Sequence, residues 1–252
     1  MKLQLPVLVT CCCLSLLGLT QERTPQSIDT KTAQFLESQI ERSASVGHGV
    51  RNVVSHYPED VEIIVGTALD MYPEKYKEII HAAISAQPAL THDVVQIAID
   101  KGITECVEIV ETAIKAEPSY VDFVVNAAAN SSPEQLDDII RVAVQTEPQS
   151  ADAIVRSVAK AQPNRLMEIM VSALNAVPIV GEYVVEALLA AHPASAETVM
   201  SAAIHHYENN DDELKRVFES ARSVGISKEQ LRELGLKNGM SQEQLTVMLS
   251  NN

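Results

Sequence analysis

The chain has 252 residues, and 19 basic against 34 acidic side chains give it a formal charge of −15. That excess of acid argues against DNA or RNA as a partner and against docking on anionic lipid, both of which need clustered Lys and Arg. Apolar residues make up 46% and aromatic ones only 4%, with no Trp, so a folded core must be aliphatic and the chain is too apolar to be disordered throughout.

The N-terminus reads as a secretory signal peptide. Lys2 supplies a positive start, Leu3 to Leu19 is mostly apolar, and charge resumes at Glu22 and Arg23. The run is at the short limit for a membrane span, and Pro6 interrupts it. Cleavage is expected near Thr20 or Gln21, so residues 1–21 form the signal and the mature chain is secreted or periplasmic. Cys11, Cys12 and Cys13 sit together, but Leu8-Val9-Thr10-Cys11 is a poor lipobox, and lipoprotein anchoring is the weaker alternative. Removing the signal leaves Cys106 alone, which excludes an intramolecular disulfide.

Residues 22–57 form a lead and a capping region. Ile28 to Arg42 reads as a helix carrying Phe35, Leu36 and Ile40. Ser43 to Tyr57 is a weak copy of the 15-residue unit that recurs from Pro58 onward, with Val50 in register and Gly49 where an aliphatic residue is expected.

Residues 58–207 are a repeat array. Prolines recur at Pro58, Pro73, Pro88, Pro118, Pro133, Pro148, Pro163, Pro178 and Pro193, with Ile103 at the one missing place. The period is 15 residues and there are ten units. Counting each proline as the first place, the seventh is always Ile or Val, as in Ile64, Ile139 and Val184. The eighth is Val, Ile or Met, and the eleventh is Ala in eight units. Places 4, 7, 8, 11 and 12 form one helical stripe. Proline suits a helix start, where its missing N–H costs nothing, and it biases the preceding residue away from helix. Acidic residues early in many units, such as Glu59, Asp122 and Asp152, suit the helix macrodipole. Each unit is therefore one helix of roughly 10–12 residues and a tight turn. Isolated helices this short are marginal in water, so units must stack on one another. The expected fold is all-α: an α-solenoid of short antiparallel helices built from about ten 15-residue repeats, with capping helices at both ends. Odd and even units look alike, which leaves open whether the structural unit is one helix or a two-helix hairpin.

Residues 208–252 read as C-terminal caps. Asn209 to Asp212 is a polar break and a helix start, with Leu214, Val217, Phe218 and Ala221 on one face and Gly225 as a stop. Ser227-Lys228-Glu229-Gln230 and Ser241-Gln242-Glu243-Gln244 both match the capping box, giving a small helical hairpin. Its second helix carries no Lys or Arg, which argues against a DNA reader.

No phosphate loop, Gly-x-Ser-x-Gly elbow or His-Glu-x-x-His is present. No catalytic, cofactor-binding or metal-ligating residue is assigned, no cofactor is expected, and the protein is read as a non-enzyme. Cys106 falls on an apolar place and reads as core. The leading expectation is an exported, non-catalytic scaffold that meets a protein partner, of basic character, through an acidic surface. The array carries that surface, with 22 acidic and 8 basic residues from Pro58 to Tyr207. One alternative is a self-assembling extracellular or envelope structural protein. Another is a metal-binding or enzymatic protein using His192, His205 and His206, read as sharing one turn.

Overall fold

The computed structural model describes residues 30–250. The expected signal segment, residues 1–21, and the lead up to residue 29 lie outside the described residues, as do residues 251 and 252. Among the described residues the secondary structure is helical, and no helix is long and apolar enough to cross a membrane.

Two helices precede the array, α1 (Thr30–Glu41) and α2 (Val46–His56). The ten repeat helices come next: α3 (Val61–Met71), α4 (Tyr76–Ala86), α5 (Thr91–Lys101), α6 (Cys106–Ala116), α7 (Val121–Ser131), α8 (Leu136–Thr146), α9 (Ala151–Ala161), α10 (Leu166–Ala176), α11 (Gly181–Ala191) and α12 (Ala196–His206). Three helices close the chain, α13 (Asp211–Ser223), α14 (Lys228–Lys237) and α15 (Gln242–Met248). This is the α-solenoid expected from the 15-residue period.

The proline does not open the α-helix itself. It opens a three-residue 3₁₀ turn, such as Pro58–Asp60, that leads into an α-helix of 11 residues. In the first repeat, Asp60 N–H donates to Tyr57 O at 3.2 Å, and Val61 N–H donates to Pro58 O. At the far end Tyr72 N–H donates to Ala68 O at 2.9 Å. The turn therefore satisfies the backbone donors on both sides of the one residue that has none. Only the unit at Ile103 departs. There α5 ends at Gly102 with φ +60°, and α6 starts without a 3₁₀ turn. A left-handed glycine stops that helix in place of the proline.

Places 7, 8 and 11 are buried in all ten units, from Ile64, Val65 and Ala68 to Val199, Met200 and Ala203. They join one continuous core that also takes in Leu36, Val50, Phe218 and Leu245. Gly49 is buried beside it. A methyl group there would fall 2.9 Å from the Ile40 backbone, so the glycine lets α1 cross closely over α2.

From α2 to α13, helices two apart along the chain pack most extensively on one another, so the array has two layers. Odd-numbered helices form one layer and even-numbered helices the other. The structural unit is thus a two-helix hairpin of 30 residues. Side chains link neighbours within a layer: Ser157 Oγ donates to Asp122 O at 2.7 Å, Gln162 Nε2 to Ala129 O at 3.2 Å, and Tyr76 Oη to Glu108 Oε2 at 2.6 Å. The terminal helices keep this alternation, with α1 against α3, α13 against α11 and α14 against α12. Both expected capping boxes are formed, at Ser227 with Gln230 and at Ser241 with Gln244. Gly225 (φ +98°) ends α13, and Asn210 caps its start through Glu213 N–H.

Candidate functional site

Because every unit buries the same places, differences between units lie on the outer faces. Place 6 separates the two layers. On odd helices it holds Ile63, Asp93, Phe123, Ala153 and Tyr183; on even helices it holds Glu78, Glu108, Asp138, Glu168 and Thr198. This alternation has a period of 30 residues and is hidden when units are aligned on their core places.

The acids of the even face are engaged with their neighbours. Glu78 accepts from Gly47 N–H at 3.0 Å, and bonds from the Ser45 side chain and from Gly47 hold its carboxyl below the usual carboxylate range. Glu108 pairs with Lys77 at 2.8 Å, and its carboxyl is also lowered, first by Lys77 and then by Tyr76. Asp138 pairs with Arg141, and Glu168 with Arg165. A depression of about 590 Å³ lies on this face between α2, α4 and α6, with Arg51, Lys77, His81 and Lys115 among its lining residues. Lys77 and Lys115 are tied to Glu108 and Glu111, so the lining is close to neutral.

The odd face is different. Ile63, Phe123 and Tyr183 are 50%, 45% and 55% exposed. Each directly follows an acid, respectively Glu62, Asp122 and Glu182. None of these three acids is in an ion pair among the described residues. Tyr120 supports Phe123, with ring centroids 5.4 Å apart, and Glu182 beside Tyr183 raises the phenol above its ordinary pKa. At the N-terminal end Ile63 forms one wall of an apolar groove of about 310 Å³, with Phe35, Leu36, Val53 and Tyr57, and Asp60 on its lining. Phe35 and Tyr57 meet edge to face at 6.2 Å.

The three histidines singled out in the sequence do not share a turn. His192 closes α11 and so lies where α12 begins, whereas His205 and His206 end α12. Tyr207, next after α12, donates to Pro178 O at 2.8 Å, which fixes the end of α12 beside the start of α11. A helix of 11 residues, about 16 Å, therefore separates His192 from the other two. Nearness in the chain misleads here because consecutive helices are antiparallel. Burial lowers the pKa of His206, and its ring packs on Tyr207 at 4.7 Å. Among the described residues no group of three or more His, Cys, Asp or Glu could hold a metal ion. Cys106 is core: burial pushes its thiol up, away from a reactive thiolate.

No protein-family model matches the chain, and no curated protein matches it.

Proposed function

We propose that the protein is an exported, non-catalytic scaffold whose repeat array binds a protein partner of basic character through its acidic surface. The supporting observation is the state of the array's cations. Six of its eight basic side chains, Lys77, Lys101, Lys115, Arg141, Arg156 and Arg165, are already paired to acids of the same array. Most of its 22 acids therefore lack a basic partner of their own, and the net field is negative. Such a surface attracts basic partners, speeds encounter with them and repels anionic polymers.

Export is inferred from the lysine-led apolar segment Leu3 to Leu19 in the sequence. The test is affinity capture from the exported fraction with the chain lacking residues 1–21. A basic protein should be retained at low salt and released as ionic strength rises past about 0.1 M, where the Debye length is ~10 Å. Recovery of no partner at low salt would overturn the reading.

A further inference from the structure

Resting on the scaffold reading, we propose that the outer face of the odd-numbered helices is the docking surface, and that its occupant is a basic amphipathic segment. The apolar side of that segment would seat on Ile63, Phe123 and Tyr183, and its cations would meet Glu62, Asp122 and Glu182.

Three observations carry this. Exposed apolar side chains are ordinary when scattered, but these three recur at the same place of the repeat, 60 residues apart. Each directly follows an acid that is in no ion pair among the described residues. The even face, by contrast, carries Glu78, Glu108, Asp138 and Glu168 at the same place, each engaged internally, and Met167 is its one strongly exposed large hydrophobic residue within the array. Apolar anchors beside acids without a cation are complementary to a helical segment that carries Leu-like residues along one side and Lys-like residues along the other.

The dimensions fit a continuous segment. Helices packed side by side lie 8–10 Å apart, so the four steps from α3 to α11 span roughly 36 Å. The groove of Phe35, Tyr57 and Ile63 gives the face a concave apolar start, with Asp60 on its lining. A second copy of this chain is a poor occupant, because the net charge of −15 opposes pairing of two such faces.

The test uses the chain lacking residues 1–21 and two peptides of equal length and charge. One is a designed helix with Leu on one side and Lys on the other; the second is a Lys/Ser control. At low salt the amphipathic peptide should bind at least about tenfold more tightly than the control. The triple variant Ile63→Ser, Phe123→Ser, Tyr183→Ser should erase that difference, and Met167→Ser should leave it intact. Equal binding of the two peptides, or an unchanged preference in the triple variant, overturns the proposal while leaving the acidic scaffold standing. Binding of neither peptide sinks both. Should the triple variant lose its helical circular dichroism, Glu62→Gln, Asp122→Gln, Glu182→Gln replaces it; it must then weaken the amphipathic peptide by about tenfold. Light scattering showing a dimer that the substitutions dissolve would assign the face to a second copy and overturn the partner chemistry.

Discussion

The hydroxyl end of Tyr207 abuts Gly181. Its hydroxyl donates to Pro178 O at 2.8 Å, and a methyl carbon built on Gly181 would fall 2.8 Å from Tyr207 Cζ and closer still to the hydroxyl oxygen. The glycine occupies place 4, which other units fill with residues such as Val61, Val121 or Leu136, and the tyrosine ring takes the room that a side chain would use. This pair joins the end of α12 to the start of α11, in the hairpin on which α13 and α14 close the array. Gly181→Ala is therefore expected to cost about 1–3 kcal/mol by overpacking, although alanine favours helix. Urea denaturation of Gly181→Ala, Tyr207→Leu and the double variant should show strong non-additivity, with the alanine far less harmful once the ring is gone. Additive costs would mean that the two residues do not compete for one space.

Burial pushes the Tyr207 phenol up to about 12 from an ordinary 10.0, with Glu213 adding to the shift. Above pH 10 the unfolded chain loses this proton while the folded chain keeps it, so the unfolded state is favoured increasingly up to pH 12. The contribution is whole below pH 10 and is lost between 10 and 12, by roughly 3 kcal/mol at ~1.4 kcal/mol per unit. Tyr207→Phe cannot titrate. Its stability should be lower than wild type near neutral pH by about 1 kcal/mol for the lost hydrogen bond, and the gap should close or reverse as pH rises beyond 10. A gap independent of pH would show that the phenol is not held protonated.

The core of each unit was legible in its sequence because burial repeats faithfully. Ile139, at place 7 of the stripe, is fully buried, and Gln145, at place 13 and off the stripe, is exposed. Ile139→Asp should then destabilise the chain by roughly 4 kcal/mol or more, since a carboxylate there has neither water nor partner. Gln145→Asp should stay within about 1 kcal/mol. Denaturant midpoints of the two variants measure the contrast directly.

What the sequence hid has a physical origin. A helix buries one stripe whatever layer it belongs to, so odd and even units share places 7, 8 and 11 and differ only where solvent or a partner is met. Asp93 and Ala153 among the odd place-6 residues blur the alternation further. The layer assignment comes from contacts 30 residues apart, which no single unit records. The same packing separates His192 from His206: His192 sits in the turn that joins α11 to α12, and His206 lies a helix length away, at the end of α12 beside the start of α11.

The interrupted proline series offers a repair that tests the turn chemistry. Gly102 has φ +60°, which any residue with a Cβ adopts at a cost of about 1–2 kcal/mol, so Gly102→Ala alone should destabilise by that amount. Ile103→Pro alone should also destabilise, because proline disfavours a helical-type backbone in the residue before it. Yet the unit keeps its length of 15 residues, and the residues before the other prolines, such as Gln87 and Gln162, have φ of −142° and −129°. Changing both together, Gly102→Gln with Ile103→Pro, lets residues 103–105 form the same 3₁₀ turn as Pro88–Leu90. The double variant is expected to match or exceed wild-type stability by up to about 1 kcal/mol, as a freely rotating glycine is lost from the unfolded chain and a proline is gained. Thermal unfolding of the two single variants and the double decides it. A double variant no better than the sum of its parts would mean that packing around Cys106, not the turn, holds this junction in its glycine form.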